Sequence, residues 1–177
     1  ADGGQVLLTA KAADALASAV VNNSGVIEAR TLSNRAGVIE LLADAEVGQV
    51  NVGGTLDASA AGGNGGNIET SGQHVSVAPD AVVTTRAVSG KSGDWLLDST
   101  DFMIAASGGD ITGAQLGSNL ARSNITIATE ASSNAYQNSG GTNTVTPASG
   151  NGSNGDIHVN DTVSWGANTL TLNAYNN

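Results

Sequence analysis

Three aspartates in the middle of the chain are the first residues whose types and spacing could do chemistry. Asp94, Asp98 and Asp101 lie around Trp95. Paired carboxylates can act as acid and base or as nucleophile in glycoside cleavage, and their oxygens are also ligands for Ca²⁺. Cleavage of the lyase type further needs Lys or Arg to stabilise developing negative charge, and only one lysine is close in sequence. The simpler interpretation is that Asp98 and Asp101 flank a turn and accept backbone N–H groups there, and we therefore predict no catalytic residue.

Metal and cofactor sites are not predicted either. His74 and His158 are the only histidines and the chain has no cysteine, so no second His or Cys stands at zinc-ligand spacing. We expect both histidines on the outward side of short strands. Residues 62–68 resemble a calcium-binding nonapeptide with Asn in place of Asp, but a single copy without the carboxylate is better explained as a turn.

Contact with a ligand is predicted for the two tryptophans and one neighbouring acid. If they are exposed, Trp95 and Trp165 could stack on sugar rings, with Asp94 beside the first of them; the alternative is that both indoles fill the interior. Four Asn-x-Ser/Thr triplets are candidate glycosylation sites, at Asn22, Asn124, Asn151 and Asn160. In a chain this rich in Asn, Ser and Thr, such triplets also arise by chance.

Composition limits the classes of partner. The 177 residues carry a net charge of −10 with only six Lys and Arg, which argues against binding to nucleic acid or anionic membranes, since both need clustered cations. No apolar stretch is long enough to predict a membrane span. The first residues are not a signal peptide, so we expect any export signal to lie outside this sequence.

The elements that must position these residues are short β-strands. Apolar and polar residues alternate in many short runs that are separated by Gly, Asn, Asp or Ser, a pattern typical of strands with one buried face. The runs are 5–10, 25–29, 37–42, 48–52, 55–58, 67–70, 74–77, 81–86, 94–97, 101–104, 124–128, 156–159 and 169–173. The alanine-rich stretch 10–21 fits either a few helical turns or another strand.

Spacing of the runs favours a solenoid. Gly4, Gly25, Gly48 and Gly66 precede or begin such runs at intervals of about 20 residues, with Gly37 as an extra start, and a fixed period of this size is typical of stacked rungs. A β-sandwich would also give many short strands, but the chain has few aromatic residues for its core. We predict an all-β, right-handed parallel β-helix with rungs of roughly 20 residues. It forms one domain over residues 1–177, with an extra-helical, low-complexity loop at residues 129–155.

An ordered set of phrases resembles the repeat region of two-partner-secretion exoproteins, of the filamentous-haemagglutinin and high-molecular-weight adhesin type. The phrases are 4–10, 21–29, 53–59, 66–72, 93–102, 155–159, 163–165 and 170–174. The resemblance implies a parallel β-helix that is secreted to or from a bacterial cell surface. It also implies an outer-membrane pore-forming transporter as partner, engaged through a region outside this chain, and contact with a host-cell receptor or glycan. We therefore expect a structural and adhesive segment rather than an enzyme, with a polysaccharide-active enzyme or a carbohydrate-binding module as the alternatives.

Overall fold

The computed structural model describes residues 1–11, 19–130, 137–139, 142–144 and 155–176. The elements of the first three rungs are β1 (Gln5–Thr9), β2 (Ala19–Asn23), β3 (Val26–Glu28), β4 (Val38–Leu42), β5 (Gly48–Val52), β6 (Thr55–Asp57), β7 (Asn67–Ser71), β8 (His74–Val77) and β9 (Val82–Thr84). Those that follow are β10 (Asp94–Ser99), β11 (Phe102–Ile104), α1 (Gly113–Leu120), β12 (Asn124–Thr129), β13 (Gln137–Ser139), β14 (Thr142–Thr144), β15 (Ile157–Val159) and β16 (Leu170–Asn173).

The chain forms a parallel β-helix of about four turns, as the sequence predicted. One side is a six-stranded parallel sheet in the order β1-β4-β7-β10-β12-β16, and two further sides are the three-stranded sheets β2-β5-β8 and β3-β6-β9. Strands β11 and β15 pair in parallel above them. Of the ambiguous stretch 10–21, the last three residues belong to strand β2, and residues 12–18 lie outside the described part.

The predicted rung length is wrong, because the glycines chosen to measure it do not occupy equivalent corners. Strand pairing aligns Val6 with Ile39 and Ile39 with Ile68, so one rung takes about 30 residues. The glycines that precede successive strands of the large sheet are Gly4, Gly37, Gly66 and Gly93. By contrast, Gly25 precedes β3 and Gly48 begins β5, and these two strands lie on other sides of the rung. Intervals that include Gly25 and Gly48 therefore do not measure the rung length.

Close approach of the backbone explains this column of glycines. A Cβ on Gly66 would lie 2.2 Å from the carbonyl oxygen of Gly37, and one on Gly93 would lie 1.8 Å from that of Gly66. Real Cβ atoms do not approach a carbonyl so closely, so these corners exclude any side chain. Glycine is therefore required at Gly66 and Gly93, where two of the rungs begin.

The core consists of inward-facing columns, one residue per rung. Period-two alternation places apolar side chains at equivalent positions of each strand, and the register stacks them directly. One column is Val6, Ile39, Ile68, Trp95, Ile125 and Leu170. Burial of each large side chain stabilises the fold by about 1.5–3 kcal/mol, and the middle members of this column are fully buried.

Helix α1, which the sequence interpretation missed, takes the place of a strand in the fourth rung. Gln115 and Asn119 lie one turn apart on one side of the helix, and Ser123 follows shortly after its end. All three bond to the free edge of β9 and the residues that flank it. Gln115 Nε2 donates to the Ala81 carbonyl, Asn119 Oδ1 accepts from Val83 N at 2.9 Å, and Ser123 Oγ accepts from Thr85 N at 3.0 Å. Four helical residues rise about 6 Å, close to the advance of about 6.6 Å for two strand residues, so Gln115 and Asn119 match the strand repeat.

The opposite side of α1 packs directly on the next rung through two glycines. A Cβ on Gly113 would lie 2.1 Å from the Thr162 carbonyl oxygen, and one on Gly117 would lie 2.3 Å from that of Ser164. The third and fifth rungs are about 9.6 Å apart, whereas a helix with ordinary side chains is about 10–12 Å wide. The helix fits between them because Gly113 and Gly117 lie directly against one rung, while Gln115 and Asn119 form hydrogen bonds to the other.

The predicted loop at residues 129–155 lies largely outside the described residues, which include its short antiparallel hairpin β13–β14. At its start the boundary differs, since Thr129 is a buried residue of β12. At its end, Asp101 Oδ1 accepts from Gly155 N and Asp156 N at 2.8 and 3.0 Å. Asp101 thus fixes the point at which the chain returns to the stack.

Candidate functional site

The predicted aspartates do not form one cluster. Asp94 and Asp98 lie on the outer face of β10, in different columns about 13 Å apart along the strand. Asp101 instead holds the chain at Gly155, as described above. The prediction that Asp98 and Asp101 accept N–H groups of a local turn is wrong in this form, because Asp98 is part of strand β10. Asp101 does accept backbone N–H groups, but those of the distant Gly155 and Asp156.

The outer face of the six-stranded sheet is acidic around Asp98. Burial, followed by the charges of Glu130 and Glu69, raises the pKa of the Asp98 carboxyl to about 6. Glu69 also accepts a hydrogen bond from Ser71 Oγ at 2.8 Å. The strands of this sheet present no Lys or Arg on their described outward positions, so these carboxylates have no cationic neighbour on their own face.

Trp95 cannot contact a ligand, which corrects the prediction. Its side chain points inward in β10 and has no exposed surface. The indole Nε1 donates to Thr70 Oγ1 at 3.1 Å, and this hydroxyl in turn donates to the Leu96 carbonyl at 3.2 Å. The wide ring fills the centre of the stack because its one polar atom finds a partner there. The other two predicted contacts stay predictions: Asp94 is exposed, and Trp165 is 46% exposed.

The candidate glycosylation sites differ in their surroundings. Asn22 and Asn160 are exposed, whereas Asn151 lies outside the described residues. The Asn124 amide is engaged on both sides, since Nδ2 donates to the Ser92 carbonyl at 3.2 Å and Oδ1 accepts from Thr169 N at 3.2 Å. A glycan on Asn124 would have to break the first of these bonds, so Asn22 and Asn160 are the better placed acceptors.

A polar groove crosses the outer surface of the sheet β2-β5-β8, where its strands turn into the next side. Asn22, Asn51 and Ser76 stand in register on successive rungs and face outward. The groove has a volume of about 300 Å³ and continues past the rung turns to Asp80 and Asp110. We call this set of five residues the rung groove.

Asp110 forms one end of the rung groove and ties two strands together. Its Oδ2 accepts from Met103 N at 2.7 Å, and its Oδ1 lies 3.3 Å from His74 Nε2. Its own backbone carbonyl accepts from Val77 N at 2.7 Å. Burial raises the pKa of the Asp110 carboxyl above its ordinary value, although the Met103 N–H and His74 favour the charged form.

The chemistry of the rung groove is that of hydrogen bonding with excess negative charge. Asp80 and Asp110 contribute carboxylates, and the described residues that line it include no Lys or Arg. Elsewhere in the described part of the chain, no three His, Asp or Glu side chains come close enough to hold a metal ion. No helix in that part is long and apolar enough to cross a membrane.

Comparison with known proteins gives no family. No protein-family model, curated protein or solved structure matches the chain. The similarity to two-partner-secretion exoproteins stays a prediction, and function is inferred from the surfaces of the chain alone.

Of the rung groove, sequence interpretation named only Asn22, and for a different reason. The other members come from separate rungs and become neighbours only through the strand register. The available signal was the matching outward position of Asn22 and Asn51 in two strands of the form Val-Asn. A rung length of about 30 residues would have aligned them.

Proposed function

We propose that this chain is a structural and adhesive segment of a secreted Gram-negative surface exoprotein, exported by a two-partner (type Vb) system. The observation that carries the proposal is the unbroken register of the six-stranded sheet, in which each strand pairs with the next without a slip. A stack held in this way resists bending and carries its outer faces at a fixed spacing. Rigid reach combined with a polar surface suits a fibre that supports contact with host cells or other bacteria.

The partners follow from this role. An outer-membrane pore-forming transporter would export the protein through a region outside this chain, and a host-cell receptor or glycan would meet its outward side chains. The excess of carboxylates on the large sheet disfavours nucleic acid and anionic lipid as surfaces to bind.

A carbohydrate-directed activity is the second candidate, because the rung groove holds two carboxylates. Asp80 and Asp110 both line it, and paired carboxylates are the groups that glycoside cleavage uses. The lyase form of the hypothesis also needs a cation beside them, which the described lining does not provide. Release of reducing ends from a panel of bacterial and host polysaccharides, lost in Asp110→Asn, would favour this candidate over adhesion.

Attachment of coated beads tests the adhesive proposal. Fluorescent beads carrying the folded chain should attach to epithelial monolayers or to bacterial cells more than beads carrying the same chain unfolded in urea before coupling. Soluble folded chain should compete for the attachment. Equal attachment of the two kinds of bead to both cell types would overturn the proposal.

A further inference from the structure

We propose that the rung groove binds an uncharged segment of an oligosaccharide. The proposal rests on the adhesive function proposed above, for which it names a contact site and a ligand class. The groove joins side chains from three rungs and the two carboxylates beyond them, and here it acts as a binding site rather than as the site of cleavage considered above.

The amide of Asn51 is held ready to donate. Its Oδ1 accepts from Gln49 Nε2 at 2.8 Å and from Ser76 Oγ at 2.9 Å, which fixes the plane of the amide before any ligand arrives. The Nδ2 group has no acceptor among the described residues and lines the groove. A donor fixed in this way loses little conformational entropy on binding.

Sugar hydroxyls match both kinds of group in the groove. A hydroxyl can accept from the amides of Asn22 and Asn51 and can donate to a carboxylate oxygen. Asp110 is already held by Met103 N and His74, so its remaining lone pairs have a fixed direction. Hydrogen bonds to an ionised group are the stronger ones, and the carboxylates therefore supply most of the binding.

Charge selects against acidic sugars. Two carboxylates line the groove without Lys or Arg, and His74 touches Asp110 but does not itself line the groove. A sialic acid, uronic acid or sulfate group would meet like charge at short range. The uncharged hydroxyls and acetamido groups of neutral sugars meet no such repulsion.

The dimensions suit a short segment of a glycan. Three rungs place Asn22 and Ser76 about 10 Å apart, and about 300 Å³ is at the lower end of ligand-pocket volumes. This space holds about one or two sugar rings. The described residues that line the groove include no aromatic side chain, so we expect a dissociation constant in the millimolar range, useful to an adhesin that is displayed in many copies.

Nuclear magnetic resonance tests the proposal on the unglycosylated 177-residue chain. The probes are lactose, maltose, a mannose disaccharide and N,N′-diacetylchitobiose as neutral sugars, with 3′-sialyllactose as the anionic one. At least one neutral probe should shift the side-chain amide signals of Asn22 and Asn51. Sialyllactose should bind at least about fivefold more weakly. No shift with any neutral probe, shifts confined to another face, or binding of sialyllactose as tight as that of the neutral probes would each overturn the proposal.

Two variants and a control locate the binding. Asn51→Ala removes the fixed hydrogen-bond donor and should raise the dissociation constant of the neutral probe at least about fivefold. Asn22→Ala, at an exposed position of the first rung, should also weaken binding of the neutral probe. It tests the site if Asn51→Ala does not fold. Asn67→Ala is the control, since Asn67 is equally exposed but lies on the six-stranded sheet, and binding should be unchanged. Equal affinity in all three variants would show that the sugar binds elsewhere.

Bead attachment separates this proposal from the function on which it rests. If wild-type beads attach specifically and beads with the Asn51→Ala chain attach equally well, the rung groove is not the contact site, and the adhesive function stands. If wild-type beads do not attach at all while the amide signals still shift with a neutral sugar, the groove stands and the adhesive function fails.

Discussion

Thr85 and Thr70 are two fully buried threonines whose hydroxyls have opposite surroundings. Thr85 Oγ1 has no hydrogen-bond partner among the described residues, although its backbone N–H is bonded to Ser123. Thr70 Oγ1 accepts from Trp95 Nε1 and donates to the Leu96 carbonyl. Because an unpaired buried hydroxyl costs free energy while a paired one does not, the same substitution should act in opposite directions.

We expect Thr85→Val to raise the free energy of unfolding by about 1 kcal/mol, and Thr70→Val to lower it by about 1–2 kcal/mol because the indole N–H then loses its acceptor. Urea unfolding followed by circular dichroism gives both values, and each variant is the control for the other. A change of the same sign in both variants would show that the hydroxyls do not control the outcome.

Asp98 makes stability depend on pH. Its pKa in the folded chain is about 6, above the ordinary 3.8, so the ionised form destabilises the fold. That cost is fully present above pH 6, shrinks as the pH falls and is absent below pH 3.8. Since the carboxyl is half-exposed, solvent screening reduces the cost to about 1 kcal/mol.

Asp98→Asn should therefore raise the free energy of unfolding by about 1 kcal/mol near pH 8 and leave it unchanged near pH 3.5. Chemical unfolding across this range measures the difference. The matched variant is Asp94→Asn, at an exposed position of the same strand face, for which we expect a smaller change. A gain that persists at the acid end would contradict the electrostatic explanation.

Among the elements, α1 depends on glycine where helices usually do not. Alanine favours a helix over glycine by about 1 kcal/mol, yet a Cβ on Gly117 would lie 2.3 Å from the Ser164 carbonyl oxygen. Packing outweighs propensity here, so Gly117→Ala should lower the free energy of unfolding by about 1–3 kcal/mol.

Thermal unfolding measures this loss. The neighbouring Ser118 is exposed, and Ser118→Ala should change stability by no more than about 0.5 kcal/mol. If Gly117→Ala proved as stable as Ser118→Ala, the helix would not be confined between two rungs in the way described.

The strands were predictable because alternation is local, whereas α1 and the rung length were not. Each of the predicted runs overlaps a strand of the structure. The helix had a local signal, the pair Thr112 and Gln115, in which Thr112 Oγ1 accepts from Gln115 N at 3.1 Å. Its Gly, Ser and Asn residues hid that signal, because they serve packing on neighbouring rungs rather than helix propensity.

At the scale of the whole molecule, the site was harder to predict than the fold. The β-helix was predictable from repeated short alternating strands in a chain with few aromatic residues, and an error in rung length leaves that class unchanged. The same error misaligns every outward column, so the neighbours of Asn51 were not identifiable. An exposed Trp95 was one of two options, because alternation alone does not show which set of alternate residues in a strand faces inward. That becomes clear only when the neighbouring strands are known.

The contacts beneath α1 also bear on how such a protein could change length in evolution. The hydrogen bonds that Gln115, Asn119 and Ser123 make to the rung below reach only backbone atoms, and every rung offers a similar row of backbone atoms. Duplication or loss of a whole rung below the helix would leave the same hydrogen-bonding surface for the helix, without any compensating substitution. Such a chain could lengthen or shorten by single gene-level repeats, and related proteins could differ in reach while keeping the same upper end.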